Sequence, residues 1–272
     1  MGPPRIQEKG TGNSLGNVQE VLMLIRILSW NVRGINDKDK RKVVKAFLRI
    51  QRADLVCLQE TKCKLMLDSV VRSLGFGRFV NWGSVHSRGQ AGGILVFWDC
   101  RVLQLLEMET WQYSISCRFK NCDDNFIWIF TGVYGPVHYY EREFLWFELG
   151  DIKSLWSDPW YVGGDFNVIR LPSEIRNCLN LSSTMRRFSE VIDELQLRDL
   201  PLVGGSYTWC GGLNNRLASR LDRFWSQRTG RVTFPTFLKA CCLNPLLIIL
   251  LFCWMEEELE AEKPFFASKI CG

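Results

Sequence analysis

Short apolar runs, each cut off by a single polar residue, are the feature that most constrains this chain. Leu24–Trp30, Asp54–Leu58, Gly93–Trp98, Phe126–Val133 and Trp160–Val162 are rich in branched or aromatic residues and bounded by Gly, Asn or Asp. Runs of that length and composition fit buried strands. Amphipathic helical patterns lie between them. Lys38–Arg52 places Val43, Val44, Phe47 and Leu48 on one face, with Asn36 or Asp37 as N-cap. Glu141–Trp156 does so with Phe144, Leu145, Ile152 and Leu155, and Ser183–Leu197 with Met185, Phe188, Val191, Ile192 and Leu195 behind Ser182 or Ser183. Strands alternating with helices imply a layered α/β domain. Residues 1–22 are poor in large apolar groups and read as a disordered leader, 23–229 as one domain, and 230–272 as an aberrant tail.

Composition narrows the function classes. The 272 residues are 47% hydrophobic and 23% charged, with a net charge of +5, which permits a nucleic-acid partner without requiring one. The 11 cysteines include no Cys-x-x-Cys pair, and there are only two histidines, His86 and His138, so a zinc site is not expected. His86 falls in the polar stretch Gly83–Gln90, read as a loop, and His138 reads as a surface residue. No secretory signal is visible, and scattered cysteines fit a reducing compartment, nucleus or cytoplasm. Leu246–Trp254 is apolar but shorter than the roughly 20 residues that span a bilayer, so no membrane partner is expected, and a monomer is the simplest state.

The polar residues that end the runs carry the chemistry. Ile27-Leu28-Ser29-Trp30 ends in Asn31, Leu55-Val56-Cys57-Leu58-Gln59 in Glu60, Ile129-Phe130-Thr131-Gly132-Val133 in Tyr134, and Trp160-Tyr161-Val162-Gly163-Gly164 in Asp165, with Asn167 two residues on. The carboxyl ends of sheet strands are where α/β folds gather ligand groups. These side chains suit phosphate-ester hydrolysis. Magnesium takes one or two carboxylates and keeps waters, so Glu60 is the best ligand candidate, with Asn31 in support. Asp165 could orient or deprotonate a water. Asn167 and Tyr134 could donate hydrogen bonds to phosphate oxygens. Taken singly, each residue also reads as a solvated strand end or a turn, since Gly, Asp and Asn favour turns.

Together they resemble a family. Ser29-Trp30-Asn31-Val32-Arg33-Gly34, Leu58-Gln59-Glu60-Thr61-Lys62, Val133-Tyr134-Gly135-Pro136, Gly163-Gly164-Asp165-Phe166-Asn167, Ser206-Tyr207-Thr208-Trp209 and Ser219-Arg220-Leu221-Asp222-Arg223-Phe224 look like successive motifs of the endonuclease/exonuclease/phosphatase superfamily. The last two look most like the apurinic-type endonuclease domain of LINE (non-LTR) retrotransposons, particularly those of plants. The resemblance implies a four-layer α/β sandwich with two mixed sheets, and an Mg2+- or Mn2+-dependent reaction on DNA. It implies that Glu60 and Asn31 attend the metal, that Tyr134 and Asn167 contact phosphate, and that Asp165 moves a proton. Asp222 would orient a histidine.

That histidine is absent. The family's closing Ser-Asp-His motif and apolar strand have no counterpart after Asp222, where Leu243–Met255 is found instead. The tail reads as an out-of-frame version of that ending. With the synonymous codons for Leu243–Ile249 chosen as CTA AAC CCA CTT CTG ATC ATT and a C placed before them, the shifted frame reads Pro-Lys-Pro-Thr-Ser-Asp-His. The C-terminal strand segment is therefore expected to be missing and activity impaired, although Leu246–Phe252 could still pair with the sheet by hydrophobicity alone. Two alternatives stand beside the endonuclease: a phosphatase of the same fold acting on a phosphoinositide or other phosphoester, and a non-catalytic nucleic-acid-binding remnant. The Ser206–Trp209 and Ser219–Phe224 motifs favour nucleic acid.

Overall fold

In the computed structural model successive residues of the central strands face alternate core layers, and this parity positions the site. The structure describes residues 25–75, 77–88, 91–200, 202, 205–211, 216–227, 236–240 and 247–252. The expected leader 1–22, and the expected tail apart from its two strands, lie outside the described residues.

In chain order the elements are β1 (Ile25–Asn31), α1 (Lys38–Gln51), β2 (Leu55–Gln59), α2 (Asp68–Ser73), β3 (Val80–Arg88), β4 (Ala91–Asp99), β5 (Leu103–Thr110), β6 (Ser114–Asn121) and β7 (Ile127–Tyr134). There follow α3 (Arg142–Leu155), β8 (Trp160–Asp165), α4 (Ser183–Glu194), β9 (Leu197–Asp199), β10 (Trp209–Gly211), β11 (Leu217–Ser219), β12 (Asp222–Gln227), β13 (Thr236–Ala240) and β14 (Leu247–Phe252). One six-stranded sheet has the order β13-β14-β1-β2-β4-β3, the other β5-β6-β7-β8-β12-β9. Each is mixed: β1 pairs parallel with β2 and β7 with β8, while the other pairs are antiparallel.

Three apolar layers hold four layers of structure. Ile25, Ile27, Leu55, Cys57, Val96 and Trp98 of the first sheet pack with Ile115, Phe119, Phe130, Tyr161 and Phe224 of the second. Leu28, Trp30, Val56 and Leu58 face the other way, onto Val44 and Leu48 of α1 and Val71 of α2. Ile129, Val133, Val162 and Trp225 likewise meet Leu145, Leu149, Phe188 and Ile192 of α3 and α4. The expected four-layer sandwich with two mixed sheets is the fold observed.

The local signals resolve in detail. Asp37 caps α1, its carboxylate accepting from the Lys40 N–H at 2.8 Å, and Ser182 caps α4 through the Met185 N–H. All five residues expected on the α4 stripe are buried. The other two helices correct the expectation. Val43 is 61% exposed, as are Phe144 and Leu155 at 58% and 47%, while Trp146 and Glu148 are buried. Successive helical residues point about 100° apart. Contact with a flat sheet buries Val44 rather than Val43 and Leu145 rather than Phe144. The Glu148 carboxylate is held inside by the Gln112 and Tyr113 N–H groups and the Ser114 hydroxyl. His86 is also corrected: it sits on β3, because the ladder to β4 carries this polar stretch as strand.

The first sheet does not end at β1. β14 runs antiparallel beside it from Ile25↔Phe252 to Trp30↔Leu247, and β13 pairs outside β14. Where a strand was expected to be missing, the apolar run therefore takes up the backbone hydrogen bonds of β1. Pairing of main chain needs only an extended apolar segment, not the lost motif.

Candidate active site

Parity turns one polar residue per strand into the gap between the sheets. On β1, Ile25 and Ile27 face inward, so Ser29 and Asn31 do too. On β2 it is Leu55, Cys57 and then Gln59, on β7 Trp128, Phe130 and then Tyr134, and on β8 Tyr161 and then Asp165. On β12 Asp222 shares the inward face of Phe224. The register sets these residues side by side: Asn31 opposite Gln59, Tyr134 opposite Asp165, and Asp222 opposite Asp165. The two sheets are then tied at this end by one bond, Asn31 Nδ2 donating to Asp165 Oδ2 at 2.8 Å.

The Asp165 carboxylate is buried and fully engaged. Its Oδ1 accepts from the Asn167 N–H at 2.9 Å. Burial raises its pKa above 3.8, Glu60 adds to the rise, and the Asn31 and Asn167 hydrogen bonds and the Arg33 charge oppose it. A buried carboxylate with raised proton affinity is a competent proton acceptor. Tyr134 is half-buried, and burial first, then the charges of Glu60 and Asp165, push its phenol well above 10, against a hydrogen bond with Asn167. It is thus a neutral donor at neutral pH. Asn167 Nδ2 donates to the Gly135 carbonyl at 2.7 Å.

Glu60 comes just past β2 in the left-handed region, φ 52°, and Arg33, Lys62 and Asn167 share that conformation at 51°, 58° and 50°. Such backbone is uncommon outside Gly and persists where surrounding bonds over-determine it, often at functional sites. Here Gly34 N–H donates to the Glu60 carbonyl at 2.7 Å, Ile35 N–H to that of Thr61, and Thr61 N–H to that of Gly93. Lys62 Nζ lies 3.0 Å from Glu60 Oε1, so this carboxylate already faces a cation.

All six expected residues, Asn31, Glu60, Tyr134, Asp165, Asn167 and Asp222, thus meet at one end of the sandwich. His86 and His138 do not join Asp222. They line a groove whose lining includes Tyr134 but neither Asp165 nor Asp222. Sequence reasoning assigned no role to four other residues. Gln59 donates to the Ser29 hydroxyl at 2.7 Å beneath the site, and the Leu55-Cys57-Gln59 alternation was the signal for it. Thr208 Oγ1 accepts the N–H groups of both Leu221 and Asp222, at 2.8 and 3.0 Å, and so aims Asp222. Arg142 donates to the Asn167 carbonyl at 2.9 Å. Gly135 lies so close to Phe166 that an added Cβ would sit 2.3 Å from the Phe166 carbonyl oxygen. Nothing in the chain's periodicity signals those last three.

Residues 28–238 match the Endonuclease/Exonuclease/phosphatase family. The chain belongs to that family. The fold agrees with solved structures at low identity. The endonuclease domain of TRAS1, a telomere-specific non-LTR retrotransposon, is 11% identical with a TM-score of 0.63, covering 86% of this chain and 100% of that one. The AP endonuclease LMAP from Leishmania major is 14% identical with a TM-score of 0.66, covering 85% and 88%. A 3′ phosphatase, NExo, from Neisseria bound to product DNA hairpin is 15% identical with a TM-score of 0.64, covering 85% and 100%. No curated protein matches the chain. No helix among the described residues is long and apolar enough to cross a membrane.

Proposed function

We propose that this member of the Endonuclease/Exonuclease/phosphatase family is a retroelement-derived endonuclease-like domain, built to hydrolyse a DNA phosphodiester with Mg2+ or Mn2+ and impaired by loss of its terminal Asp-His. Family members are hydrolases, nucleases and phosphatases, and the nucleases generally use divalent metals such as Mg2+. The observation that carries the reading is the Asn31–Asp165 bond, which links the two sheets at the end where the six residues lie.

The donor set fits a hard cation. Carboxylate, carbonyl and water oxygens suit Mg2+ and Mn2+, and no group of three or more His, Cys, Asp or Glu able to hold a metal occurs among the described residues. Magnesium asks for less: one carboxylate, neutral oxygens and waters. Glu60, already turned toward a cation at Lys62, would supply the carboxylate, and Asn31 Oδ1 the neutral oxygen. When bound, such an ion neutralises phosphate charge. The chain's own residues do the rest. Asp165, held by Asn31 and Asn167, takes a proton from the attacking water. Tyr134 and Asn167 donate to phosphate oxygens as charge builds. Asp222, aimed by Thr208, has no histidine to orient. Loss of a general acid/base typically costs about 10²–10⁴ in rate.

Supercoiled plasmid nicking tests this, with Mg2+ or with EDTA, beside Glu60→Ala. Weak nicking that needs both the metal and Glu60 supports the reading, and robust nicking sinks the impairment. Salt-sensitive binding without any nicking favours the non-catalytic remnant. Hydrolysis of a phosphoinositide but not of DNA favours the phosphatase alternative. The gene's nucleotide sequence tests the tail: a shifted frame that does not encode Ser-Asp-His ends the frameshift account. The LINE origin, in plants especially, rests on the resemblance of Ser206–Trp209 and Ser219–Phe224.

A further inference from the structure

Of the six residues above, Tyr134 alone also lines the neighbouring groove. The groove holds about 300 Å³, at the small end of ligand pockets. Val85, Ile94 and Pro136 give it apolar sides, and His86, Gln112 and His138 bring polar groups to it. Among the described residues that line it, none is lysine or arginine and Glu141 is the acidic one. Its outer wall continues into a stacked pair: the His138 and Tyr140 rings lie 5.4 Å apart at 15°, with Tyr139 edge-on to Tyr140 at 5.8 Å. Tyr139 and Tyr140 are 76% and 61% exposed.

We propose that this groove is a subsite for an unstacked nucleobase next to the scissile phosphate. The inference rests on the DNA reading and deepens it. Tyr134 belongs to both places, so a phosphodiester held there presents its neighbouring nucleoside at the mouth of the groove. Apolar sides with a few hydrogen-bonding groups suit a base, which needs stacking on its faces and polar partners at its edge. The exposed His138–Tyr140 stack gives one more ring surface. A base enters only after leaving its own stack, so DNA with an unpaired nucleotide beside the cleavage position is the preferred ligand.

Fluorescence anisotropy with the full chain tests this on three labelled DNAs: a paired duplex, the same duplex with one unpaired base, and that duplex with an abasic spacer in place of the base. The unpaired base is expected to bind more tightly than the spacer. His138→Ala combined with Tyr140→Ala is expected to weaken binding of the unpaired-base DNA by about 5- to 150-fold, the range of one base–aromatic stack, and to leave the spacer DNA unaffected. Tyr140→Phe keeps the preference. Equal binding of base and spacer by the parent, or a preference that survives the double substitution, overturns the subsite while leaving the DNA reading intact. Failure of the parent to bind any of the three in a salt-sensitive way overturns the DNA reading and the subsite with it. Both substituted rings lie on the surface, and a far-UV circular dichroism spectrum matching the parent verifies the fold.

Discussion

Asp165 and Glu174 are both buried carboxylates, at 3% and 7% exposure, yet they are built for opposite ends. Asp165 accepts only from neutral N–H groups, of Asn31 and Asn167, and burial lifts its proton affinity. Burial would lift Glu174 as well, but the Arg223 guanidinium, in close contact, outweighs it and holds Glu174 below its ordinary value. Arg223 also binds Asp199 at 3.0 Å and Arg220 binds it at 2.8 Å, which makes a four-residue ion cluster on the far side of β12. Burial raises Asp199 despite both arginines, and the Glu174 charge adds to the rise. Asp165, held by neutral donors, keeps a raised proton affinity, and Glu174, locked to a guanidinium, does not.

The same contrast divides a single motif. In Ser219-Arg220-Leu221-Asp222-Arg223-Phe224, Asp222 faces the site and Arg223 faces the cluster, since neighbours on a strand point to opposite faces. Both arginines are spent on Glu174 and Asp199 rather than on an external phosphate. The motif that favoured nucleic acid by resemblance therefore acts here through architecture.

Substitution of the scaffold should do the most damage to stability. Arg223→Met takes the closest cation from buried Glu174 and one of two from partly buried Asp199, and a loss of about 3–5 kcal/mol is expected in equilibrium urea unfolding. A loss under about 1 kcal/mol would break the comparison. Thr208→Val removes the acceptor of two N–H groups under the site and should cost about 1–3 kcal/mol by the same measurement. If Thr208 aims Asp222 only, Thr208→Ser restores most of that loss. Asp37→Ala, remote from both carboxylates, should cost only about 1 kcal/mol, the usual worth of a helix cap.

The smallest effect is the most diagnostic. Asp165 has a raised folded pKa, so its contribution is fully present below 3.8 and is lost as pH rises through the raised value. Glu174 has a lowered one, so its contribution is present above 4.5 and is lost as pH falls through the lowered value. In acid titrations of stability, Asp165→Asn should steepen the loss on acidification and Glu174→Gln should flatten it. Shifts of the same sign in both variants would contradict the division drawn here.

Much of the site was legible before any fold was known. Asn31, Glu60, Tyr134 and Asp165 each end a run of apolar residues, because a strand must leave the core where its polar partner begins. Gln59 needed only the alternation of β2 to be found. Arg142, Gly135 and the aiming role of Thr208 were not legible, for each acts on a segment distant in sequence: Arg142 on Asn167, Gly135 against Phe166, Thr208 on Leu221 and Asp222. β5 and β6 were also unread. Leu103–Thr110 is largely exposed and rich in Gln, Glu and Met, so only its ladder to β6 marks it as strand.

By itself the sequence determined the strand and helix periods and which polar residue closes each run, and it narrowed two helix caps to Asn36 or Asp37 and Ser182 or Ser183. It also determined that no histidine follows Asp222. Only the tertiary structure decided which of those residues meet, because the Asn31–Asp165 bond spans two sheets and 134 positions of chain. It alone decided that the motif arginines serve the scaffold and that Leu247–Phe252 lies beside β1. Periodicity is a property of neighbours along the chain. Burial, register and the pairing of charges depend on what the fold brings against them.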